Sequence, residues 1–290
     1  MARKRKSQRR KRNGTKSSDY LLITILMAVL LAIVAGVTFL FMNKEEILAY
    51  NSDDLCPEIG ARATVAILLD TTDEISIPTK RDIQNRAQNE LESLPRYYRL
   101  SLYTMDEAGL DPEPIVTLCN PGQLSEMGDL AQKGITANPR MIERKYNDFE
   151  ASISDATDRI LNTIFEGKQS PLLGALQELS LILQKPTDLQ IDQYNAGRNK
   201  IIFISDLMEH TDTFSIYESG VNLKAFQNSR ATEKFGKNYT EDLEFWVIRR
   251  DQEALSSRKI MNFWGKKILE GEFGYPASQI LKMIPLIGEL

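Results

Sequence analysis

The apolar residues divide the chain into one long uncharged segment and a series of shorter patterned segments. Tyr20–Met42 runs 23 residues without a charge, and at about 1.5 Å per residue a helix of that length crosses a hydrocarbon core of about 30 Å. Only helices and closed barrels satisfy their backbone in lipid, so the segment predicts a membrane-spanning helix that acts as a signal-anchor. A cleaved signal peptide is the alternative, but it has a shorter apolar core followed by small residues.

After this segment, short apolar runs alternate with stretches of helical periodicity. The strand patterns are Thr64–Leu69, Tyr98–Thr104, Pro114–Cys119, Lys200–Ser205 and Leu243–Ile248. The helical patterns are Thr79–Leu94, Met141–Phe165, Leu172–Leu183, Val221–Lys234 and Glu253–Glu270. Strands separated by helices in this order predict an α/β fold, with a mostly parallel open sheet covered by helices on both faces.

Turn and capping residues refine this pattern. Asp106–Pro112, which contains Gly109, predicts the turn of a hairpin between the second and third strands. Ser170 and Pro171 predict the N-cap and the first position of the helix that follows them. The polar stretch 123–140 gives no pattern that assigns its structure.

Charge is distributed unevenly along the chain. The first sixteen residues hold nine of the 36 basic residues and no acidic one, so the other 27 basic residues accompany all 40 acidic residues. A basic segment beside a membrane helix predicts a cytoplasmic N-terminus, close to anionic lipid. Nucleic-acid binding by this tail is the alternative, but no aromatic residues are interleaved with the charges, so no nucleic acid is expected. The acidic remainder favours binding of cations over polyanions.

These observations predict four regions. Residues 1–19 are a basic cytoplasmic tail, 20–42 a transmembrane helix, 43–60 a stalk and 61–290 an extracytoplasmic domain. The chain has two cysteines, Cys56 and Cys119. Because both fall in the external part, they predict one disulfide, which would stabilise the fold by about 3–4 kcal/mol. Two unrelated buried thiols are the alternative.

Oxygen-bearing side chains follow two strand ends and open one helix. Asp70 and Thr72 follow the first strand, Ser170 precedes a helix, and Asp206 follows a later strand. In an open α/β sheet such positions converge on one crevice. Two carboxylates and two hydroxyls suit Mg²⁺ or Ca²⁺, whereas a single histidine, His210, makes a zinc site a poor fit. The same side chains also serve as helix caps or turn residues.

In these motifs the domain resembles a von Willebrand factor A domain over about residues 61–272. That family carries a metal-ion-dependent adhesion site made of Asp-x-Ser-x-Ser after the first strand, a Thr at a helix start and an Asp after a central strand. Here Asp-Thr-Thr-Asp-Glu at 70–74 occupies the first motif. Ser170, in Ser-Pro-Leu-Leu-Gly-Ala-Leu, replaces the threonine of the second, and Asp206 matches the third.

The resemblance implies a degenerate site. Its metal ligands would be Asp70, Thr72, Glu74, Ser170 and Asp206. Glu74 stands where the family has its last serine, unless Ser76 takes that place, and Asp73 is a further candidate for the shell. An additional carboxylate would satisfy the ion internally and weaken its attraction for an acidic group on a partner.

The resulting functional hypothesis is a single-pass protein of the cytoplasmic (inner) membrane. Its extracytoplasmic, periplasmic domain would bind one or more protein partners in a bacterial envelope assembly, with Mg²⁺ or Ca²⁺ as a candidate cofactor and oligomerisation open. A metal-assisted hydrolase at the same acidic cluster is one alternative. A purely structural membrane subunit is another, because Ala32 and Gly36 form a small-residue packing pattern in the membrane helix.

Overall fold

The computed structural model describes residues 16–42, 51–134, 138–163, 167–184, 197–234, 239–250 and 256–289. They belong to two compact units. One unit comprises Met1–Glu46 and Gly128–Asn138, and the other comprises Ile47–Met127 and Pro139–Leu290. Residues 1–15 of the predicted tail and 43–50 of the predicted stalk lie outside the described residues.

The elements follow the alternation expected from the sequence. The strands are β1 (Thr64–Asp70), β2 (Arg99–Asp106), β3 (Gly109–Leu110), β4 (Val116–Cys119), β5 (Lys200–Ser205), β6 (Asp242–Arg249) and β7 (Leu281–Glu289). The helices are α1 (Lys16–Met42), α2 (Ile77–Ser93), α3 (Asp129–Gln132), α4 (Pro139–Leu161), α5 (Leu172–Leu183), α6 (Ile216–Ser219), α7 (Leu223–Gln227), α8 (Ala231–Lys234) and α9 (Ser257–Asn262). A 3₁₀ turn covers Leu124–Glu126, and a π-helix covers Phe263–Glu272.

Helix α1 belongs to the first unit. Within the described part of the chain it is the one helix long and apolar enough to cross a membrane, through Tyr20–Phe39 with a mean hydropathy of 2.8. Two of its threonines are satisfied within the helix, because the hydroxyl of Thr24 donates to the carbonyl of Tyr20 at 3.1 Å and that of Thr38 to the carbonyl of Val34 at 2.6 Å. These two hydroxyls thus meet the requirement that lipid places on hydrogen-bonding groups.

The second unit is built on a mostly parallel open sheet, which confirms the predicted fold class. The strand order is β3-β2-β1-β5-β6-β7, and β4 pairs with β2 beside β3. Strands β2, β1, β5, β6 and β7 run parallel, whereas β3 and β4 are antiparallel to β2. The predicted hairpin is therefore present.

Alternate residues of the central strands bury opposite faces of the sheet in two apolar layers. On one face Leu68 and Phe203 pack among residues of α5 and the π-helix, such as Leu176 and Trp264. On the other face Ile67 and Ile202 pack with α2 and α4. Strands buried on both faces need continuous apolar sequence, and this explains the runs that identified β1 and β5.

The two cysteines form a disulfide, as predicted. Cys56 and Cys119 are bonded across a sequence separation of 63 residues. The backbone N–H of Cys119 also donates to the carbonyl of Asp54 at 2.8 Å. The segment that precedes β1 is thereby joined to the end of β4.

Strand β7 has no counterpart among the predicted strands. Its sequence contains Pro285, which cannot donate to a ladder and therefore argues against a central strand. The structure places β7 at the edge of the sheet, next to β6, where a proline is tolerated because one side of the strand needs no partner.

Some predicted helices and one predicted helix cap differ from those observed. Val221–Lys234 is two short helices, α7 and α8, and not one. The helix predicted at Glu253–Glu270 begins at Ser257 and continues as the π-helix to Glu272, while residues 253–255 lie outside the described residues. Ser170 is not the N-cap of α5, because Pro171 holds that position and makes no side-chain capping bond.

Candidate functional site

The candidate site lies at the carboxyl ends of β1 and β5. These strands are neighbours, with Leu69 opposite Ile204, so the residues that follow them lie at one edge of the sheet. The chain passes from β1 to β2 on one side and from β5 through β6 to β7 on the other. The space between β1 and β5 is therefore the switch point of the topology, where open α/β sheets bind their ligands.

Asp70, the last residue of β1, is the buried centre of the site. Its Oδ1 accepts hydrogen bonds from the backbone N–H of Thr72 at 3.0 Å and from the Thr72 hydroxyl at 2.7 Å. Its Oδ2 accepts hydrogen bonds from the hydroxyls of Ser205 at 2.9 Å and Ser170 at 3.3 Å. One carboxylate thus joins three segments that are distant in sequence.

Ser170 reaches Asp70 through a short backbone bridge rather than through a helix cap. Its N–H donates to the carbonyl of His210 at 2.9 Å, and its carbonyl accepts from the N–H of His210 at 3.0 Å. Its hydroxyl lies 3.4 Å from that of Thr72. Three of the predicted ligand residues, Asp70, Thr72 and Ser170, are therefore in direct contact.

Asp206 is held by an arginine. Its Oδ2 accepts a hydrogen bond from Nε of Arg250, and its Oδ1 accepts one from the backbone N–H of Met208 at 2.9 Å. Nη2 of the same arginine donates to Oδ2 of Asp73 at 2.8 Å. The guanidinium also lies over the ring of Tyr217, 5.5 Å from its centre. The loops after β1, β5 and β6 meet at this one cation.

The structure does not bring Glu74 into this cluster. Its side chain is exposed, and none of the hydrogen bonds and ion pairs that join the described residues of the site involves it. Of the five predicted ligands, four lie together at the strand ends and the fifth faces solvent. Asp73, the other candidate metal ligand, is connected to the cluster by its hydrogen bond from Arg250.

Burial dominates the electrostatics of the two central aspartates. It raises the pKa of Asp206 to about 6, although Arg250 opposes the shift, and the charge of Asp70 adds to it. Burial also raises the pKa of Asp70, against hydrogen bonds from Thr72 and Ser205. Burial and the charge of Asp206 raise the pKa of Tyr217 to about 12. Carboxylates whose charged forms are disfavoured in a cleft are typical of functional sites.

A cleft of about 280 Å³ opens onto the cluster. Its walls combine hydroxyls, a carboxylate, amide groups and the ring of Tyr217, which is 46% exposed. The lining residues are Thr72, Asp73, Gly167, Lys168, Gln169, Ser170, His210 and Tyr217. Such a surface suits a polar partner group with an aromatic contact at one side.

Glu209 is an additional buried acid behind this cleft. Its Oε2 accepts the backbone N–H of Leu173, in the first turn of α5, at 2.9 Å, whereas its Oε1 has no hydrogen-bond partner among the described residues. Burial raises the pKa of Glu209 to about 8, with the Leu173 hydrogen bond opposing the shift and the charge of Asp70 adding to it. A carboxyl group at the start of a helix interacts favourably with the helix dipole.

His210 and Ser215 form the one side-chain hydrogen bond between a histidine and a serine in the described part of the chain, with Nδ1 and Oγ 2.8 Å apart. Ser215 is buried, and its hydroxyl accepts the backbone N–H of Glu218, so it caps α6. This arrangement is that of a loop-stabilising pair, because a nucleophile must be accessible to a substrate.

Sequence reasoning missed four residues of this site, namely Ser205, Glu209, Tyr217 and Arg250. Two of them had a signal. Ser205 immediately precedes Asp206, and Arg250 follows the strand that a parallel sheet places next to β5. Glu209 lies in an irregular loop and Tyr217 in the four-residue helix α6, and neither segment is long enough in regular structure for periodicity to indicate which side chains turn inward.

No protein-family model and no curated protein sequence matches the chain. A von Willebrand factor type A structure from Catenulispora acidiphila is similar at 12% identity and a TM-score of 0.36, over 70% of this chain and 37% of that one. An aerotolerance-related membrane protein from Bacteroides fragilis is similar at 11% identity and a TM-score of 0.36, over 77% of this chain and 91% of that one. Proximal thread matrix protein 1 from the mussel byssus is similar at 8% identity and a TM-score of 0.38, over 70% of this chain and 41% of that one. The chain thus spans less than half the length of two of these three proteins.

The open, mostly parallel sheet with helices on both faces is shown by this chain's own strand order and packing. At TM-scores below 0.5 the similar structures add nothing about function. The class of protein that the fold and site define is therefore an α/β domain with a polar cleft at its topological switch point, accompanied by one apolar N-terminal helix.

The donor atoms of the predicted metal site suit Mg²⁺ or Ca²⁺ in type, since all are hard oxygens. Their arrangement is less suitable. Both oxygens of Asp70 and both of Asp206 already accept hydrogen bonds, and the described residues contain no group of three or more His, Cys, Asp or Glu side chains placed to hold a metal ion. The cluster as it stands fits the guanidinium of Arg250.

Proposed function

We propose that this protein is a membrane-anchored interaction module that binds a protein partner at the cleft beyond β1 and β5. The observation that supports this proposal is the cleft itself, which opens beside the buried aspartates at the switch point and has the exposed ring of Tyr217 in its wall. The resemblance to von Willebrand factor A domains, which bind partners at this edge of the sheet, agrees with it. The partner would belong to the envelope assembly in which the domain is displayed.

The membrane part of the proposal rests on α1. Residues 20–42 would cross the cytoplasmic membrane, with residues 1–19 in the cytoplasm, 43–60 as a stalk and 61–290 outside. Ser7→Cys and Ser219→Cys test this orientation in intact cells, because the native cysteines are bonded to each other. A membrane-impermeant maleimide is expected to label the chain at position 219 only. Labelling at position 7 only would contradict the proposed orientation.

The partner-binding part is tested by site-specific photo-crosslinking of the full chain in its own membrane. A photoreactive amino acid replaces Tyr217 at the rim of the cleft. In the matched control it replaces Ile280, which precedes β7 and therefore lies at the amino ends of the strands, away from the cleft. Both side chains are about half exposed, at 46% and 51%. A protein adduct is expected from position 217 and not from position 280. Equal adducts, or none at position 217, would contradict binding at the cleft.

Binding of Mg²⁺ or Ca²⁺ through Asp70, Thr72, Ser170 and Asp206 stays a prediction. An ion at Asp206 would have to replace the guanidinium of Arg250, which already occupies one carboxylate oxygen. Repeating the crosslinking at position 217 in EDTA tests whether partner binding needs the ion. Loss of the adduct in EDTA would support cation dependence.

A further inference from the structure

The strongest unassigned feature of the molecule is the position of Arg250. The residue directly follows β6, yet its side chain reaches acids in the loops after β1 and β5. Two different nitrogens are used, Nε for Asp206 and Nη2 for Asp73. A planar guanidinium is suited to such a two-armed contact, whereas a lysine is a single point charge.

This contact is not a surface ion pair. The side chains of Arg250 and Asp206 are 14% and 4% exposed, respectively, and Asp73 provides the solvent-facing arm at 49%. Removing these charges from water is costly, so the loss of either partner would leave an uncompensated buried charge. The ring of Tyr217 beneath the guanidinium adds a cation–π contact.

The charges of the cluster explain why a cation is needed there. Asp70, Asp73 and Asp206 meet at one edge of the sheet, and the hydrogen bonds among the described residues place the guanidinium of Arg250 between Asp73 and Asp206. A divalent ion in a related site would hold the same strand-end loops by binding their oxygens. Arg250 makes the same connection with a cation that is part of the polypeptide chain and therefore cannot dissociate.

We infer that Arg250 is the built-in cation of this cleft, holding together the loops after β1 and β5 so that the wild-type protein needs no divalent ion there. A metal ion becomes a useful ligand only when the guanidinium is removed. This inference deepens the proposed function, because it states how the same cleft is neutralised and shaped before a partner arrives.

The test is thermal unfolding of the full chain in detergent, with Mg²⁺ or Ca²⁺ at millimolar concentration or with EDTA. Tryptophan fluorescence reports on the site, because Trp264 Nε1 donates to the carbonyl of Leu207, next to Asp206, at 2.9 Å. For the wild type we expect the same Tm in metal and in EDTA. For Arg250→Gln we expect a Tm lower by about 8 °C in EDTA, of which millimolar Mg²⁺ or Ca²⁺ restores at least half.

Two further variants serve as controls. Arg159→Gln removes an arginine from an exposed ion pair with Asp155 and is expected to leave both Tm and metal response unchanged. Arg250→Lys keeps the positive charge and is expected to remain indifferent to metal. If Arg250→Gln fails to fold, the wild type and Arg250→Lys still decide, because a metal-dependent rise in Tm in either one overturns the inference.

Other outcomes are equally decisive. An Arg250→Gln protein that is as stable as the wild type, or that is destabilised and gains nothing from metal, overturns the inference. These melts contain no partner, so a missing adduct at position 217 leaves them unaffected. Conversely, an adduct that disappears in EDTA overturns the built-in cation while leaving the interaction module in place.

Discussion

The central sheet has charged groups at both ends of its strands, which we call the amino edge and the carboxyl edge. The groups are similar, but their pKa values are shifted differently. At the amino edge, Lys200 of β5 donates to Glu90 at 2.9 Å and lies 3.1 Å from Glu244 of β6. At the carboxyl edge, Arg250 bridges Asp206 and Asp73. At each edge, therefore, a cation bridges two acids that belong to different elements.

The pKa shifts at the two edges are opposite. At the amino edge, burial alone would raise the pKa of Glu244, but a hydrogen bond from Trp246 and the charge of Lys200 lower it overall. At the carboxyl edge, burial outweighs the charge of Arg250 and raises the pKa of Asp206 to about 6. The amino edge is thus a satisfied ion network that supports the fold, whereas the carboxyl edge retains charge that costs folding free energy. Such a cost is expected where a site serves binding.

The largest expected effect is the pH dependence that Glu209 contributes at the carboxyl edge. Its pKa of about 8 in the fold lies above the ordinary 4.5, so the folded protein binds this proton more tightly than the unfolded chain. Its contribution is complete below pH 4.5 and is lost as the pH rises through 8, on the order of 5 kcal/mol in all. Chemical denaturation of the full chain in detergent at several pH values measures this loss, and Glu209→Gln should abolish it.

Glu244→Gln is the matched control at the amino edge, with the opposite sign. The pKa of Glu244 is lowered, so its stabilisation is present above the ordinary pKa and lost as the pH falls. Glu244→Gln should therefore be destabilising at neutral pH and should flatten only the acidic side of the profile. Equal profiles for the two variants would contradict the proposed difference between the edges.

Asp206→Ala should have the next largest effect. It leaves Arg250 with Asp73 alone and removes the acceptor for the Met208 N–H. Breaking a buried pair on one side leaves an uncompensated charge, and a cost of about 3 kcal/mol is expected. Denaturant unfolding of the full chain measures it, and Asp155→Ala, in the exposed pair with Arg159, should change stability by less than about 0.5 kcal/mol. A cost for Asp206→Ala no larger than that of the control would show that the buried pair contributes nothing.

Lys200→Ala tests the amino edge and should cost less, about 1.5 kcal/mol. Glu90 is partly exposed, and Glu244 keeps Lys282 at 3.7 Å. Solvent and the second lysine therefore compensate part of the loss. Adding salt should reduce the cost further, because water reaches this network. A cost above that of Asp206→Ala, measured under the same conditions, would reverse the ranking of the two edges.

Most of the fold follows from local sequence, because the strands of the sheet interior are buried on both faces. The apolar runs that end at Asp70 and Asp206 indicate buried strands in a chain that alternates strands with helices. Strand β7 could not be predicted, since Pro285 argues against a strand unless that strand is already known to lie at an edge. The helical pattern of 221–234 also did not predict the break between α7, which ends at Gln227 with Asn228 as its C-cap, and α8, which begins at Ala231.

The candidate site was only partly predictable for a different reason. Asp70, Thr72, Ser170 and Asp206 all stand at strand ends or next to a helix start, where topology alone brings them together. Arg250 is long enough to cross from β6 to two other loops, and its reach is a property of the assembled site. The motif of the metal-binding family consists of oxygen donors only, so it does not include a cation that the chain itself supplies.

The smallest effect concerns Glu74, which the motif places in the site and the structure places in solvent. Replacing an exposed side chain away from buried contacts changes stability by less than about 0.5 kcal/mol, so Glu74→Ala should unfold like the wild type. It should also respond to Mg²⁺ and EDTA as the wild type does. In the Arg250→Gln background, metal rescue should persist without Glu74, because Asp70 and Asp206 supply the buried carboxylates. If Glu74→Ala removed that rescue, Glu74 would be a ligand of the ion, and the site would match the adhesion motif more closely than its contacts indicate.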